Sequence, residues 1–194
     1  MSADPDTLAV YAARAADYAA MAEGLDDQPL AAFLALLPPG ARILDLGCGP
    51  GVQAAQMAAA GHHPDPVDAA PEMVALAKAR GLPARRADFD APLQGPYDAA
   101  WASFSLLHAP RADLPRHLAA IHAALKPGAP LHLGMKLGHG EGRDALGRFY
   151  TYYTREDLLD LLTAAGFTVT RADERIETGL SGQPAPGLLV TAHA

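Results

Sequence analysis

Four groups of side chains in this sequence are of types and spacings that do chemistry. The first is Asp45-Leu46-Gly47-Cys48-Gly49-Pro50-Gly51, a carboxylate followed by glycines at alternate positions. Glycine takes positive φ freely and, lacking a Cβ, lets a ligand lie directly on the chain. The second is Asp68 and the third is the pair Asp88-Phe89. The fourth is an assortment suited to holding or deprotonating a small molecule: His108, then Arg143, Arg148, Tyr150, Tyr152 and Tyr153. A carboxylate just ahead of a glycine turn repels a pyrophosphate and attracts a cation. An acid about twenty residues beyond the first glycine, at the tip of the next strand, is placed to accept hydrogen bonds from a ribose diol.

The elements that must position these groups follow from the apolar pattern. Ile43, Leu44 and Leu46 form a short buried strand, begun cleanly by Pro38-Pro39-Gly40. Residues 52–60 form a helix stopped at Gly61, and its first turn presents unpaired N–H groups and a partial positive charge. Residues 62–68 form a second strand whose two prolines cannot donate to a ladder, which predicts an interrupted or edge-like strand. Pro71 opens a helix to Arg80 with Met73, Val74 and Leu76 inward. Residues 83–87, 97–103 and 131–137 are the third, fourth and fifth strands. Asp113 and Pro115 start a helix that ends at Lys126-Pro127-Gly128.

Residues 138–148 read as a polar, glycine-rich loop too long for a simple connection. Thr154 to Asp157 reads as a capping box before the last helix. Residues 167–172 and 188–192 are the last two strands; with no helix between them they should pair antiparallel. Upstream, residues 7–23 read as one helix with Tyr11 and Tyr18 on one face, and residues 28–37 as a second, with Leu30, Phe33, Leu34 and Leu37 at helical spacing. The expected architecture is α/β: a three-layer sandwich around a mostly parallel seven-stranded sheet with an antiparallel last strand. It is expected as a single domain over residues 1–194, with cap helices in 1–38 and a ligand-binding sheet domain in 42–194.

Composition narrows the function. The 194 residues can bury a proper core, and a net charge of −7 argues against a large nucleic-acid footprint. No apolar run reaches membrane length and the N-terminus lacks a signal-peptide pattern, so the expected location is the cytoplasm. Cys48 is the single cysteine, which excludes an internal disulfide and a cysteine-based metal site. His62, His63, His117, His122, His132, His139 and His193 show no metal-ligand spacing, so no metal is expected. Oligomeric state carries no signal in the sequence.

The string from Asp45 to Gly51 closely resembles motif I of the class I, Rossmann-like S-adenosylmethionine-dependent methyltransferases of small-molecule type, Asp/Glu-x-Gly-x-Gly-x-Gly. The resemblance runs from about Tyr11 to the end of the chain and includes the Leu125-Lys126-Pro127-Gly128 turn. It implies S-adenosyl-L-methionine as cofactor, held by Asp45, Gly47, Gly49, Gly51, Asp68, Met73, Asp88, Phe89, Ser103 and Tyr18. Within it, Asp68 would take the ribose and Asp88 with Phe89 the adenine. The segment Phe104 to His108 resembles the part of the family that lines the methyl-transfer site. Methyl transfer is an in-line displacement for which the protein supplies positioning and a dry pocket. His108 is the candidate general base, and Tyr11, Arg148, Tyr150 and Tyr153 are the candidate acceptor contacts, the arginine being suited to an anionic acceptor.

Two other readings start from the same residues. Gly49, Gly51 and Ala54 form a Gly-x-Gly-x-x-Ala frame that with Asp68 would suit a nicotinamide-dependent oxidoreductase, although neither Lys126 nor Lys136 has a Tyr four positions before it. A non-catalytic protein that binds an adenosyl ligand would keep the same turn. DNA amino-methylases are disfavoured, because their Asn/Asp-Pro-Pro-Tyr/Phe signature is Ala102-Ser103-Phe104-Ser105 here. Cytosine C5 methylases are disfavoured because the one cysteine lies in the glycine turn. A chain without an added recognition domain favours a small-molecule acceptor.

Overall fold

The computed structural model describes residues 4–194. Seven strands form one sheet in the order β3-β2-β1-β4-β5-β9-β8, where β1 is Arg42–Leu46, β2 His63–Asp68, β3 Arg85–Arg86, β4 Ala99–Ser103, β5 Pro130–Lys136, β8 Thr168–Thr178 and β9 Pro184–His193. Neighbouring strands from β3 through to β5 pair parallel. β9 pairs antiparallel with both β5 and β8, as the missing crossover helix demands. A separate two-stranded hairpin, β6 (Glu141–Arg143) and β7 (Phe149–Thr151), stands beyond the end of β5.

Alternation along β1 divides the core between two faces. Ile43 packs with Leu30 and Phe33 of α3 (Gln28–Leu34) and Met57 of α4 (Val52–Ala59). Leu44 and Leu46 pack on the opposite face, in the larger cluster that includes Leu118 and Ile121 of α6 (Leu114–Ala124) and Leu158 and Leu162 of α7 (Arg155–Ala164). α5 (Pro71–Ala79) packs beside α4 through Val74 and Ala77. The result is the expected three-layer sandwich.

Several local expectations are corrected. β2 is a continuous strand, paired to β1 over its length. The His63 N–H reaches the Ala41 carbonyl and the Val67 carbonyl accepts from Gly47, so the odd-numbered residues of β2 face β1. Pro64 and Pro66 therefore point their missing N–H toward β3, which pairs only at Val67 and Asp68. The prolines sit where no ladder bond was needed, and β3 is correspondingly shorter than the expected 83–87.

The expected single helix over 7–23 is two helices, α1 (Pro5–Ala13) and α2 (Ala15–Ala22), broken at Arg14 with φ −116° and ψ 24°. Tyr11 and Tyr18 still meet, their rings 5.2 Å apart and edge-on. The helix expected over 28–37 ends at Leu34. The expected loop over 138–148 contains β6 and the hairpin turn. The last two strands are longer than 167–172 and 188–192. The cap is present at Thr154, whose Oγ1 accepts from the Asp157 N–H.

Candidate functional site

The glycine turn leaves β1 at the C-terminal edge of the sheet, where all the parallel strands end. Gly47, Gly49 and Gly51 take φ of +80°, +54° and +80°. Each also lacks room for a side chain. A Cβ on Gly47 would stand 2.3 Å from the Ser105 Cβ, one on Gly49 3.0 Å from the Tyr18 ring, and one on Gly51 2.8 Å from the Ala77 Cβ. The turn thus locks β1 to the segment after β4, to α2 and to α5.

Asp68, at the tip of β2, ties the turn together. One of its oxygens accepts from the Gly49 N–H and the other from the Ala70 N–H, both at 2.9 Å. The second bond fixes the Ala70 N–H at the N-cap of α5, and Ala70 itself offers no side-chain cap. Burial holds the Asp68 carboxyl above its ordinary range, opposed by these backbone bonds. Asp45, inside β1, is 2% exposed, and its Oδ2 has no hydrogen-bond partner among the described residues. Burial, then the neighbouring Asp68, push it up to about 8. A buried, unpartnered carboxylate oxygen costs free energy unless a cation or donor reaches it.

Two cavities open on either side of this turn and share Tyr11, Tyr18, Gly47 and Phe104. The first is lined by Gly49, Asp68, Met73, Phe89 and His108, and by Asp4, Thr7 and Leu8 of the N-terminal segment. The second is lined by Cys48, Ser103, Lys136, Arg148, Tyr150 and Glu177 among others. Phe104 stands between them with φ 53°, a conformation rarely adopted outside glycine. Its N–H donates to the Gly134 carbonyl, and its ring lies against Gly134 and Gly187, where any side chain would collide with it. Ser105 then donates to the Leu46 carbonyl at 2.6 Å.

The N-terminal helix and the hairpin form the roof. Asp4 caps α1 by accepting from the Thr7 N–H and hydroxyl, and Thr7 Oγ1 accepts from the Phe149 N–H. The Tyr11 hydroxyl lies 2.9 Å from His108 Nε2 and accepts from Arg148 Nη1 at 3.0 Å. His108 Nδ1 faces the Phe149 carbonyl at 2.6 Å, so it carries the ring proton, and Nε2 accepts from Tyr11. Arg148 is 2% exposed; its Nε and Nη2 donate to Asp144 Oδ2, and its guanidinium lies 5.2 Å from the Tyr150 ring centroid.

This geometry corrects parts of the expected site. His108 has both nitrogens engaged, and burial pulls its pKa down to about 4, so it is a neutral strut under Tyr11 with no nitrogen left to deprotonate an acceptor. Arg148 is committed to Asp144 and Tyr11 and offers no free fork to an anion. Arg143 clamps Asp4 and Asp6 on the outer surface. Tyr153 lies outside both cavities, beneath Arg111. Asp88 Oδ1 accepts from the Asp90 N–H of its own turn and does not line the first cavity, whereas Phe89 does. Ser103 and Tyr150 line the second cavity, with Tyr11 and Tyr18 on both.

Sequence reading did not single out Thr7, Asp144 or Lys136 as site residues, and it reached Phe104 and Ser105 only as part of the segment Phe104 to His108. The roof contacts join positions as much as 142 residues apart and leave no local signal. Lys136 carried a signal, a cation at the very end of the fifth strand.

An α/β sheet with a glycine turn at its switch point, a buried acid before the turn and a second acid at the next strand tip define an enzyme-type nucleoside site. Residues 14–172 match the methyltransferase-domain family, and the chain belongs to that family. It is similar to the ubiquinone biosynthesis O-methyltransferase of Xanthomonas axonopodis pv. citri, 35% identical over 107 residues, a match covering 50% of this chain and 44% of that protein. The match therefore spans less than half of that relative's length. Among solved structures, the fold resembles an S-adenosylmethionine-dependent methyltransferase from Methanosarcina mazei, with TM-score 0.76, 20% identity, and coverage of 87% of this chain and 98% of the other. It also resembles the Burkholderia thailandensis 1,6-didemethyltoxoflavin-N1-methyltransferase, with TM-score 0.69, 23% identity, and coverage of 100% and 91%. That second protein was solved with 1,6-didemethyltoxoflavin and S-adenosylhomocysteine bound.

Proposed function

We propose that this protein transfers a methyl group from S-adenosyl-L-methionine to a small molecule. The observation that carries the reading is the buried Asp45 with its unpartnered oxygen, beside Asp68 and under a glycine turn. Two carboxylates with no basic side chain in the turn suit a cationic adenosyl ligand and oppose the pyrophosphate of a nicotinamide cofactor. S-adenosylmethionine supplies a methyl group on a sulfonium sulfur, and the C–S bond pair stays with sulfur as a neutral thioether.

The residues of this chain that would hold it are Gly47 and Gly49 against its backbone-facing edge, Asp68 at the ribose, and Met73 and Phe89 as apolar walls. Asp45 would supply the negative field beneath. Each Asp68 oxygen already accepts one backbone N–H and retains a lone pair for a hydroxyl. Tyr18 and Tyr11, shared by both cavities, exclude water from the junction where the acceptor must meet the methyl group. The second cavity is then the acceptor pocket, with Ser103, Phe104 and Tyr150 in its wall. The names of the curated relatives favour an oxygen acceptor.

We further read residues 1–194 as one catalytic unit with cap helices in 1–38. The acidic net charge supports a reading without nucleic acid. Among the described residues no helix is long and apolar enough to cross a membrane.

Calorimetry tests this. S-adenosylhomocysteine and S-adenosylmethionine should both give a saturable binding heat and NAD(H) none. Heat with NAD(H) and none with the adenosyl ligands would overturn the reading.

A further inference from the structure

Lys136 ends β5 on the ligand-bearing edge of the sheet and lines the second cavity. Among the described residues no carboxylate lies within ion-pair distance of its Nζ, in contrast to the neighbouring Arg148 on Asp144. Its Nζ stands 4.3 Å from the Tyr150 ring centroid. Burial, then the charge of Arg148, pull its pKa below the ordinary lysine value, with Asp144 opposing. Among the described residues no other ionisable group of this cavity forms an ion pair with it. Burial pushes the Tyr11, Tyr18 and Tyr150 phenols up, and it holds the Glu177 carboxyl above its ordinary range. A partly desolvated, unpaired amine in an aromatic-walled cavity is suited to take a proton and then to hold the resulting anion.

Resting on the reading of this cavity as a methyltransferase's acceptor pocket, we propose that the acceptor is a phenol and that Lys136 Nζ takes the proton of its reacting hydroxyl. The O–H bond breaks with its pair left on oxygen, and the proton bonds to the amine, giving a phenolate held by an ammonium. Lys136 returns that proton to water after the product leaves. Phenol is an acceptor class that needs this group and whose flat ring fits these walls. A carboxylic acid is already ionised at neutral pH, and a protonated amine would be repelled by Lys136 and Arg148. His108, whose nitrogens are both engaged, cannot serve in its place. The rings of Phe104, Tyr11 and Tyr150 offer flat apolar walls to an aromatic acceptor.

Nitrocatechol is the probe, because its phenol and phenolate absorb at different wavelengths. It is titrated into the full chain saturated with S-adenosylhomocysteine, at a pH one unit below the dye's own pKa. The expected result is a bound dye ionised by the wild type and not by Lys136→Met. Lys136→Arg should keep the bound-phenolate spectrum, since a guanidinium holds the anion. With S-adenosylmethionine in place of the product, Lys136→Met should methylate the dye about a hundredfold more slowly, the loss expected of a missing general base, while Lys136→Arg, which still holds the phenolate, should lose much less. Calorimetry with S-adenosylhomocysteine shows that each variant is folded. The proposal is overturned if the wild type binds the dye un-ionised or not at all, or if Lys136→Met ionises it as fully as the wild type. A wild-type chain that binds no S-adenosylhomocysteine overturns instead the donor-site reading on which the proposal stands.

Discussion

The floor of the site and its roof solve the same problem, fixing groups around a ligand, with different materials. The floor is residues 45–51 and Asp68, carried by two adjacent parallel strands and held by backbone: N–H groups on a carboxylate, and glycines pressed against Ser105, Tyr18 and Ala77. The roof is α1 and the β6–β7 hairpin, held by side chains across the chain: Thr7 to Phe149, Tyr11 to His108 and Arg148, and Arg143 to Asp4. A backbone-built floor tolerates no added atom. A side-chain-built roof can lose one contact and keep the rest, and its pieces can separate to admit a ligand, the kind of element expected at the low-stability end of a fold.

The largest expected effect falls on the floor. Gly49→Val places a branched side chain in left-handed backbone, under Tyr18 and at the mouth of the first cavity. Binding of S-adenosylhomocysteine should disappear in calorimetry. The fold should survive by circular dichroism, because the displaced neighbour is a side-chain ring and not backbone. Binding within threefold of wild type would show that the ligand does not lie on this turn.

Next comes Asp68→Ala, which frees the Gly49 and Ala70 N–H groups and removes the proposed acceptor of the ribose hydroxyls, a charge-assisted contact worth about 1.5–3 kcal/mol. Affinity for S-adenosylhomocysteine should fall roughly ten- to hundredfold. Asp68→Asn keeps one carbonyl oxygen and turns an amide donor toward the other N–H, so it should lie between Ala and wild type. An Ala variant with normal affinity would place the floor's strength elsewhere.

The third effect is one of pH. Asp45 is held above its ordinary value, so between pH 3.8 and about 8 the folded protein keeps a proton that the unfolded chain has released, and stability falls as pH rises through that window. A cationic ligand reverses the preference. Binding of S-adenosylmethionine should release a proton and tighten from pH 6 to pH 8, by up to about tenfold per unit, the limit for one group. Calorimetry in buffers of different ionisation heat measures the proton directly; a binding heat independent of buffer would mean Asp45 does not face the ligand.

The smallest belongs to the roof. Tyr11→Phe cuts the Arg148–Tyr11–His108 chain and leaves Arg148 on Asp144. Stability should drop by about 1 kcal/mol, a typical hydrogen bond's net worth, read as a lower melting temperature, with S-adenosylhomocysteine affinity changed less than threefold. A tenfold loss of affinity would erase the distinction between roof and floor.

Much of this molecule is set by its sequence alone. Alternating strand and helix patterns, the absent helix before the last strand and the Asp45–Gly51 string dictate the layered sheet and the ligand edge, because they act within a few residues of backbone. Asp68 was legible for the same reason: it ends a strand next to the turn. Tertiary structure decided the rest. It made Pro64 and Pro66 harmless by facing them where β3 is too short to pair. It broke the N-terminal helix at Arg14 and folded the polar stretch after β5 into a hairpin. It also reassigned the polar groups: Arg148 went to Asp144, His108 to Tyr11 and Phe149, Asp88 to its own turn, and Lys136 was left without a carboxylate partner among the described residues. Arg148 and Asp144 stand four residues apart, but the bonds that place them at the site join Tyr11 to His108 across 97 residues and to Arg148 across 137, and no local pattern encodes those distances.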